Sequence, residues 1–163
     1  MDRLVGRHGV HDGFDRAPEL RVGDRLRLSL RSSRDTYVYV LNEDAAGNAT
    51  VLFPLSAGPQ NPQPGGATLT LPGVADPELA WVVTADSARE DFVVISALTP
   101  RAEIEAELAG WKRARATDER AVGAVARVGA PQVQGEHLQR ILRELQQDTA
   151  HVRVWQYSFK HQG

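Results

Sequence analysis

A strict alternation of apolar and polar residues, RLRLSLR, occupies residues 25–31. Successive side chains of a β-strand point to opposite faces, so this alternation predicts a strand with one buried and one solvated face. A shift of one residue would exchange the two faces. We therefore expect a buried face of Leu26, Leu28 and Leu30 and a solvated face of Arg25, Arg27 and Arg31.

Five further segments are dense in β-branched and aromatic residues and predict strands. Residues 36–41 and 50–53 are expected to pair as a hairpin across residues 42–48, and residues 81–84 and 91–97 are expected to pair across residues 85–90. Pro54 has no N–H to donate and ends one of these strands. The five segments are residues 36–41, 50–53, 67–71, 81–84 and 91–97.

Residues 56–66 contain three prolines and three glycines and are predicted to form a surface loop. An asparagine side chain is able to bond the backbone two residues on, so we expect Asn61 to organise this loop. Exposed loops on a β scaffold commonly carry binding residues. We therefore predict that Phe53, Pro54 and Asn61 contact a binding partner. The alternative is that Asn61 only caps a turn.

The period of the apolar residues changes after Thr99-Pro100, a pair that favours the start of a helix. Helical spacing then predicts one amphipathic helix near residues 100–116 and a second near residues 136–147. The apolar positions are Ile104, Leu108 and Trp111 in the first helix and Leu138, Ile141, Leu142 and Leu145 in the second. Strands are predicted over residues 121–128 and 152–159, and in the latter Trp155, Tyr157 and Phe159 share one face.

The order of these elements predicts a mainly β, α+β fold. We expect an antiparallel β-sandwich or barrel-like sheet with two amphipathic helices in the C-terminal half. Residues 1–20 are predicted to be an N-terminal arm or an edge strand around Leu4 and Val5. Residues 21–163 are predicted to be a single β-rich domain.

Composition narrows the classes of function. The chain has 163 residues, of which 42% are apolar and 25% charged, as in ordinary globular proteins. A net charge of -2 offers no basic surface for nucleic acid, and the absence of cysteine excludes disulfides and thiolate metal sites. With no signal-peptide core and no apolar run of about 18 residues, we expect no membrane insertion and a cytoplasmic location for the chain as given.

Candidate catalytic and metal-binding residues are few. His8 and His11, beside Asp12, form the one close pair of potential metal ligands, and they lack the further ligands of a stable site. No serine lies in a G-x-S-x-G motif, and His137 and His151 are expected to be surface residues on or beside the second helix. Gly65-Gly66 lacks the lysine of a phosphate loop and is expected to form a turn.

Two charged patterns have simple structural explanations. Glu103, Glu105 and Glu107 lie two residues apart, and such residues do not face each other on a helix, so we expect a solvated acidic first turn. The arginines of residues 25–31 are expected to protect a wet strand face, with an acidic partner as the alternative. The residues therefore predict no catalytic site, no cofactor and no metal.

A series of short motifs resembles the bacterial family known as domain of unknown function 4384, over residues 20–110. The motifs are Gly23-Asp24-Arg25-Leu26, Tyr37-Val38-Tyr39-Val40-Leu41-Asn42, Gly47, Leu52-Phe53-Pro54, Asn61, Gly65 or Gly66, Leu71-Pro72, Val93-Val94-Ile95-Ser96 and Pro100. Leu55 departs from the asparagine that many members carry there. The resemblance implies an accessory domain of bacterial signalling or effector proteins, without established catalytic residues, whose partner is a fused or neighbouring signalling or protease component.

Three functions fit these observations. The first is a non-catalytic β-rich binding or regulatory module that contacts a protein or envelope partner. The alternative is a small hydrolase with an unrecognised active site, and the third is a structural spacer. An exposed apolar or concave patch near residues 54–66 would favour the first function, a pocket with convergent titratable groups the second, and neither feature the third.

Overall fold

A computed structural model of the chain describes residues 2–5, 10–13, 23–55, 60–73, 79–84, 89–113, 121–123, 135–145 and 151–160. Eleven strands and two helices lie within these ranges. In chain order they are β1 (Asp2–Val5), β2 (Val10–Gly13), β3 (Arg25–Arg31), β4 (Tyr37–Asp44), β5 (Ala49–Phe53), β6 (Thr68–Leu71), β7 (Trp81–Thr84), β8 (Arg89–Ala97), α1 (Ala102–Leu108), β9 (Lys112–Arg113), β10 (Ala121–Gly123), α2 (Glu136–Leu145) and β11 (Val152–Lys160).

The strands form two sheets. One has six strands in the order β10-β7-β3-β1-β2, with β6 paired to the second half of β3. The other has five strands in the order β11-β8-β4-β5-β9. Neighbouring strands are antiparallel, apart from the parallel pairs β10–β7 and β5–β9. The described strands form no closed barrel, so the predicted mainly β fold with antiparallel sheets is confirmed in its sandwich form.

The five-stranded sheet is buried on both faces. Its inner face packs against the six-stranded sheet through Val40, Phe53 and Phe92, which meet Leu28 and Trp81. Its outer face is covered by α1 and α2, whose buried residues are Ile104, Leu108, Leu138, Ile141 and Leu145. The chain therefore builds three layers, and β4 lies inside the middle layer. No helix among the described residues is long and apolar enough to cross a membrane.

Strand β3 follows the predicted alternation. Leu26 and Leu28 are 0% and 2% exposed and belong to the core between the sheets, while Leu30 packs partly against it. Arg31 is exposed, and Arg25 and Arg27 are half-buried. The bounds and the buried face of this strand are as predicted.

The predicted pairing of residues 81–84 with residues 91–97 is wrong. Strand β7 pairs with β3 and β10 in one sheet, whereas β8 pairs with β4 and β11 in the other. The two strands instead face each other across the core, where the rings of Trp81 and Phe92 lie 5.7 Å apart. Neighbours in sequence commonly pair, but these two strands belong to different layers.

The N-terminal prediction also needs correction. Residues 2–5 and 10–13 pair as a hairpin, and β1 lies between β2 and β3. The strand around Leu4 and Val5 is therefore an inner strand of its sheet, and β2 is the edge. The remaining residues of the predicted arm lie outside the described ranges.

Helix α1 is shorter than predicted. It begins at Ala102 after Arg101 and ends at Leu108, and residues 112–113 already pair with β5 as a strand. Gly110 follows the C-cap residue Ala109, and glycine disfavours continuation of the helix. Helix α2 and strand β11 lie close to their predicted bounds, whereas residues 124–128 of the predicted strand 121–128 lie outside the described ranges.

The aromatic residues of β11 are placed unequally. Tyr157 packs partly against the core between the sheets, but Trp155 is 38% exposed. Only the backbone of Phe159 is described.

Candidate functional site

The loop after β5 completes the hydrogen bonding of β4. Phe53 pairs with Val40, and the chain then leaves the sheet at Pro54. Further along β4, Asn61 accepts a hydrogen bond from the Val38 N–H at 2.9 Å and donates one to the Val38 carbonyl at 2.8 Å. One side-chain amide thus takes the place of a strand residue opposite Val38.

Gln63 continues the same arrangement. Its backbone exchanges two hydrogen bonds with Thr36, at 3.0 and 2.8 Å. The predicted turn at residues 65–66 follows, and the Gly66 N–H donates to the Ser32 carbonyl at 2.7 Å. Gly65 lies so close to the backbone of Arg34 that an added Cβ would be 3.0 Å from the Arg34 Cα. This close approach explains why glycine occupies that position.

A pocket of about 560 Å³ opens between this loop and helix α1. The loop contributes apolar and amide groups, the helix contributes one carboxylate and an apolar wall, and β4 contributes a phenol. The described residues that line the pocket are Tyr39, Pro54, Leu55, Gln60, Asn61, Glu105, Leu108 and Ala109.

A buried tyrosine connects β4 to the helix wall. The Tyr39 hydroxyl donates to Glu105 Oε1 at 2.8 Å and accepts from the Arg101 N–H at 3.4 Å. Burial raises the pKa of this hydroxyl well above its ordinary value, and the hydrogen bond to Glu105 raises the pKa further. Tyr39 therefore stays protonated at neutral pH and keeps the donor role that orients the carboxylate.

The three glutamates of α1 have different partners. Glu103 accepts from Arg101 Nε at 2.7 Å, and Glu107 accepts from Arg140 at 2.9 Å. Glu105 faces Tyr39 instead, which is neutral. The prediction of a solvated acidic first turn therefore describes these glutamates only in part, because the Glu105 carboxylate lines the pocket.

The predicted site residues divide into two groups. Pro54 and Asn61 are half-buried and line the pocket, so the structure brings these two together. Phe53 is 0% exposed and packs in the core between the sheets, which gives its ring a structural position. Whether Pro54 and Asn61 contact a partner stays a prediction.

Sequence reasoning missed Tyr39, Glu105 and Leu108 as members of the site. One signal was available, since a tyrosine in a strongly apolar strand needs a hydrogen-bond partner for its hydroxyl when buried. The identity of that partner was not readable, because Glu105 lies 66 residues further along the chain.

A second polar cluster lies at the opposite end of β4. Glu43 accepts a hydrogen bond from the Leu138 N–H at 3.0 Å, and Asp91 accepts one from the Gly135 N–H at 3.0 Å. Asp91 also lies 3.1 Å from Arg89 Nε. Both carboxylates thus satisfy N–H groups at the start of α2, where negative charge is favoured by the helix dipole.

The other candidate catalytic and metal-binding residues that the structure describes do not lie together in one site. His137 packs edge-on against Trp111 with ring centres 5.7 Å apart, and His151 is exposed. His8 lies outside the described ranges, and only the backbone of His11 and Asp12 is described. Among the residues the structure describes, no group of three or more His, Cys, Asp or Glu side chains is placed to hold a metal ion.

Comparison with known families identifies one match. The family described as Domain of unknown function (DUF4384) matches residues 19–100. That segment contains strands β3 to β8 and the pocket residues contributed by β4 and the loop, and it ends before α1. No curated protein and no solved structure matches the chain. With half of its residues matched, and with the motifs around Tyr39 and Asn61 inside that half, the chain belongs to the DUF4384 family.

Proposed function

We propose that this chain is a non-catalytic binding or regulatory module of a bacterial signalling or effector system. Its contact surface is the pocket between residues 54, 55, 60 and 61 and helix α1, and its occupant is a segment of a protein partner. The observation that carries the proposal is the pocket itself, about 560 Å³ in volume, within the range of ligand-binding sites.

The construction of the pocket favours binding. Its loop wall is held to β4 by the two hydrogen bonds between Asn61 and Val38, and its helix wall is held by the bond from Tyr39 to Glu105. Walls that already have their bound shape lose little freedom when a ligand enters, which favours affinity. The lining also carries polar groups from Gln60, Asn61 and Glu105, and placed polar groups of this kind fix the orientation of a ligand.

The chemistry of the lining favours a non-catalytic role over the hydrolase alternative. A hydrolase needs an activated nucleophile or a base within reach of one. The Tyr39 hydroxyl keeps its proton because its pKa is raised, and it is committed to Glu105. We therefore also propose that the chain is not an enzyme.

Peptide selection tests the binding proposal. The whole chain is used to select binders from a random peptide library displayed on phage, and the affinities of the selected peptides are measured by fluorescence anisotropy. Ala109→Trp fills the pocket, and Ala106→Trp is the matched control, since Ala106 is exposed on α1 outside the lining. We expect Ala109→Trp to weaken binding at least about tenfold, a change of about 1.4 kcal/mol, and Ala106→Trp to leave it unchanged.

Two results would contradict the proposal. One is equal affinity of wild type and Ala109→Trp, with both variants melting cooperatively. The other is hydrolysis of a chromogenic ester, of casein or of p-nitrophenyl phosphate by wild type but not by Ala109→Trp, which would support the hydrolase alternative.

A further inference from the structure

The negative charge of helix α1 is distributed unevenly. Glu103 and Glu107 each lie against an arginine, at 2.7 and 2.9 Å. Glu105 lies between them in the sequence, and its described hydrogen-bond partner is a neutral phenol. Among the described lining residues, Glu105 alone carries a formal charge, so the pocket is acidic.

The Glu105 carboxylate is also held in one orientation. The Arg101 N–H donates to the Tyr39 hydroxyl at 3.4 Å, and that hydroxyl donates to Glu105 Oε1 at 2.8 Å. Glu105 is exposed, so its carboxylate remains accessible from the pocket. An oriented carboxylate forms a charge-assisted hydrogen bond to an incoming cation without first losing side-chain freedom.

The other walls suit the stem of a long side chain. Pro54 is half-buried and Ala109 is exposed, and both supply apolar surface to the pocket. The Asn61 amide is already bonded to Val38 through both of its polar atoms. Lysine and arginine bury their aliphatic stems along apolar surface and extend the charged group to a polar partner.

Building on the proposed function, we infer that the pocket takes a cationic side chain, lysine or arginine, from the partner segment. The ammonium or guanidinium group lies against Glu105, and the stem lies along Pro54 and Ala109. The pocket volume of about 560 Å³ leaves room for the flanking backbone as well.

A pair of small probes tests this inference. Butylguanidinium carries the cation and the stem, and butylurea has a similar planar head without the charge. Each probe is titrated into the ¹⁵N-labelled whole chain, and the amide shifts of residues 60, 61, 108 and 109 give its dissociation constant. We expect the cation to bind about fivefold more tightly than the urea, the upper range for a single exposed ion pair. The difference should vanish in Glu105→Gln and persist in the matched control Glu103→Gln.

The outcomes separate this inference from the proposed function. Equal affinities for the two probes in wild type, or no pocket shifts with butylguanidinium, overturn the inference. Loss of the difference in Glu103→Gln overturns it too, because a general attraction to the acidic helix would then explain the binding. In each case the peptide experiment with Ala109→Trp still decides whether the pocket is the contact surface.

Discussion

The two ends of strand β4 present similar side chains in opposite settings. At one end Tyr39 bonds Glu105 of helix α1 beside an open pocket. At the other end Glu43 and the neighbouring Asp91 bond the start of helix α2, and these carboxylates are 2% and 0% exposed. Each end therefore joins the strand to a helix through a carboxylate.

The two ends of β4 differ in whether their carboxylates can still bind a ligand. Glu43 and Asp91 are enclosed and accept hydrogen bonds from backbone N–H groups, so their interactions hold α2 in place. Glu105 is exposed and contacts a neutral partner, so it keeps capacity for a ligand. Burial, more than residue type, separates a structural carboxylate from one available for binding.

The largest expected effect is on stability at the α2 end. Asp91→Ala would leave the buried Gly135 N–H and the Arg89 guanidinium without this partner. We expect a loss of about 3 kcal/mol in the free energy of unfolding. Glu105→Ala removes the acceptor of the buried Tyr39 hydroxyl and should cost about 1 kcal/mol, because that end lies beside an open pocket. Urea denaturation at neutral pH measures both, and equal losses would remove the distinction between the two ends.

A glycine substitution at each end sharpens the comparison. A Cβ at Gly135 would collide with the Glu43 carboxylate, whereas a Cβ at Gly110, next to the pocket wall, would meet nothing within 4 Å. We expect Gly135→Ala to lower the free energy of unfolding by about 2 kcal/mol. Gly110→Ala should be neutral or raise it by up to about 1 kcal/mol.

Thermal and urea denaturation measure the stability of the two glycine variants against the wild type. If Gly135→Ala were as stable as Gly110→Ala, the tight contact between α2 and Glu43 would not exist in solution.

The loop wall of the pocket should make a moderate contribution to the free energy of unfolding. Asn61→Ala removes both hydrogen bonds to Val38 and leaves that N–H and carbonyl unpaired, which we expect to cost about 1–2 kcal/mol. Asn48→Ala is the matched control, because Asn48 bonds Asp44 in an exposed turn, and its expected cost is below about 0.5 kcal/mol. Denaturant midpoints compare the two, and a smaller loss for Asn61→Ala would contradict the role given to its amide.

The smallest expected effect is a pH dependence from Tyr39. Its folded-state pKa is raised, so its contribution to stability is complete below the unfolded-state pKa of about 10 and is lost as the pH rises above that value. Tyr39→Phe removes the titrating group, so wild type should lose more stability than the variant between pH 9 and about 11. Parallel losses in urea midpoints would show that burial and the bond to Glu105 do not keep the hydroxyl protonated in the folded chain.

Much of the fold was readable from the sequence. Residues 25–31 and 81–84 form strands with the predicted bounds, because alternation and β-branched residues specify a strand and its faces. The partner of each strand was less readable, as the wrong pairing of residues 81–84 with residues 91–97 shows. A local pattern sets which face is buried and leaves open which layer the strand joins.

The candidate site was readable in part for the same reason. Pro54 and Asn61 stand out because proline and asparagine mark loops, and both line the pocket. Phe53 is a phenylalanine like others in the core, so its residue type could not distinguish a binding role from a buried position, and it is buried. Glu105 reaches the site only through the packing of α1 on the five-stranded sheet, a long-range contact that no local pattern specifies.

The most direct test is to map a bound peptide onto both ends of β4. A peptide selected on the whole chain is titrated to saturation, and amide shifts are recorded at the pocket end (residues 39, 60, 61, 108 and 109) and at the α2 end (residues 42, 43, 135 and 138). We predict large shifts at the pocket end and none at the α2 end, because only the first keeps an accessible carboxylate. Shifts centred on the α2 end, with the pocket end unchanged, would contradict the account.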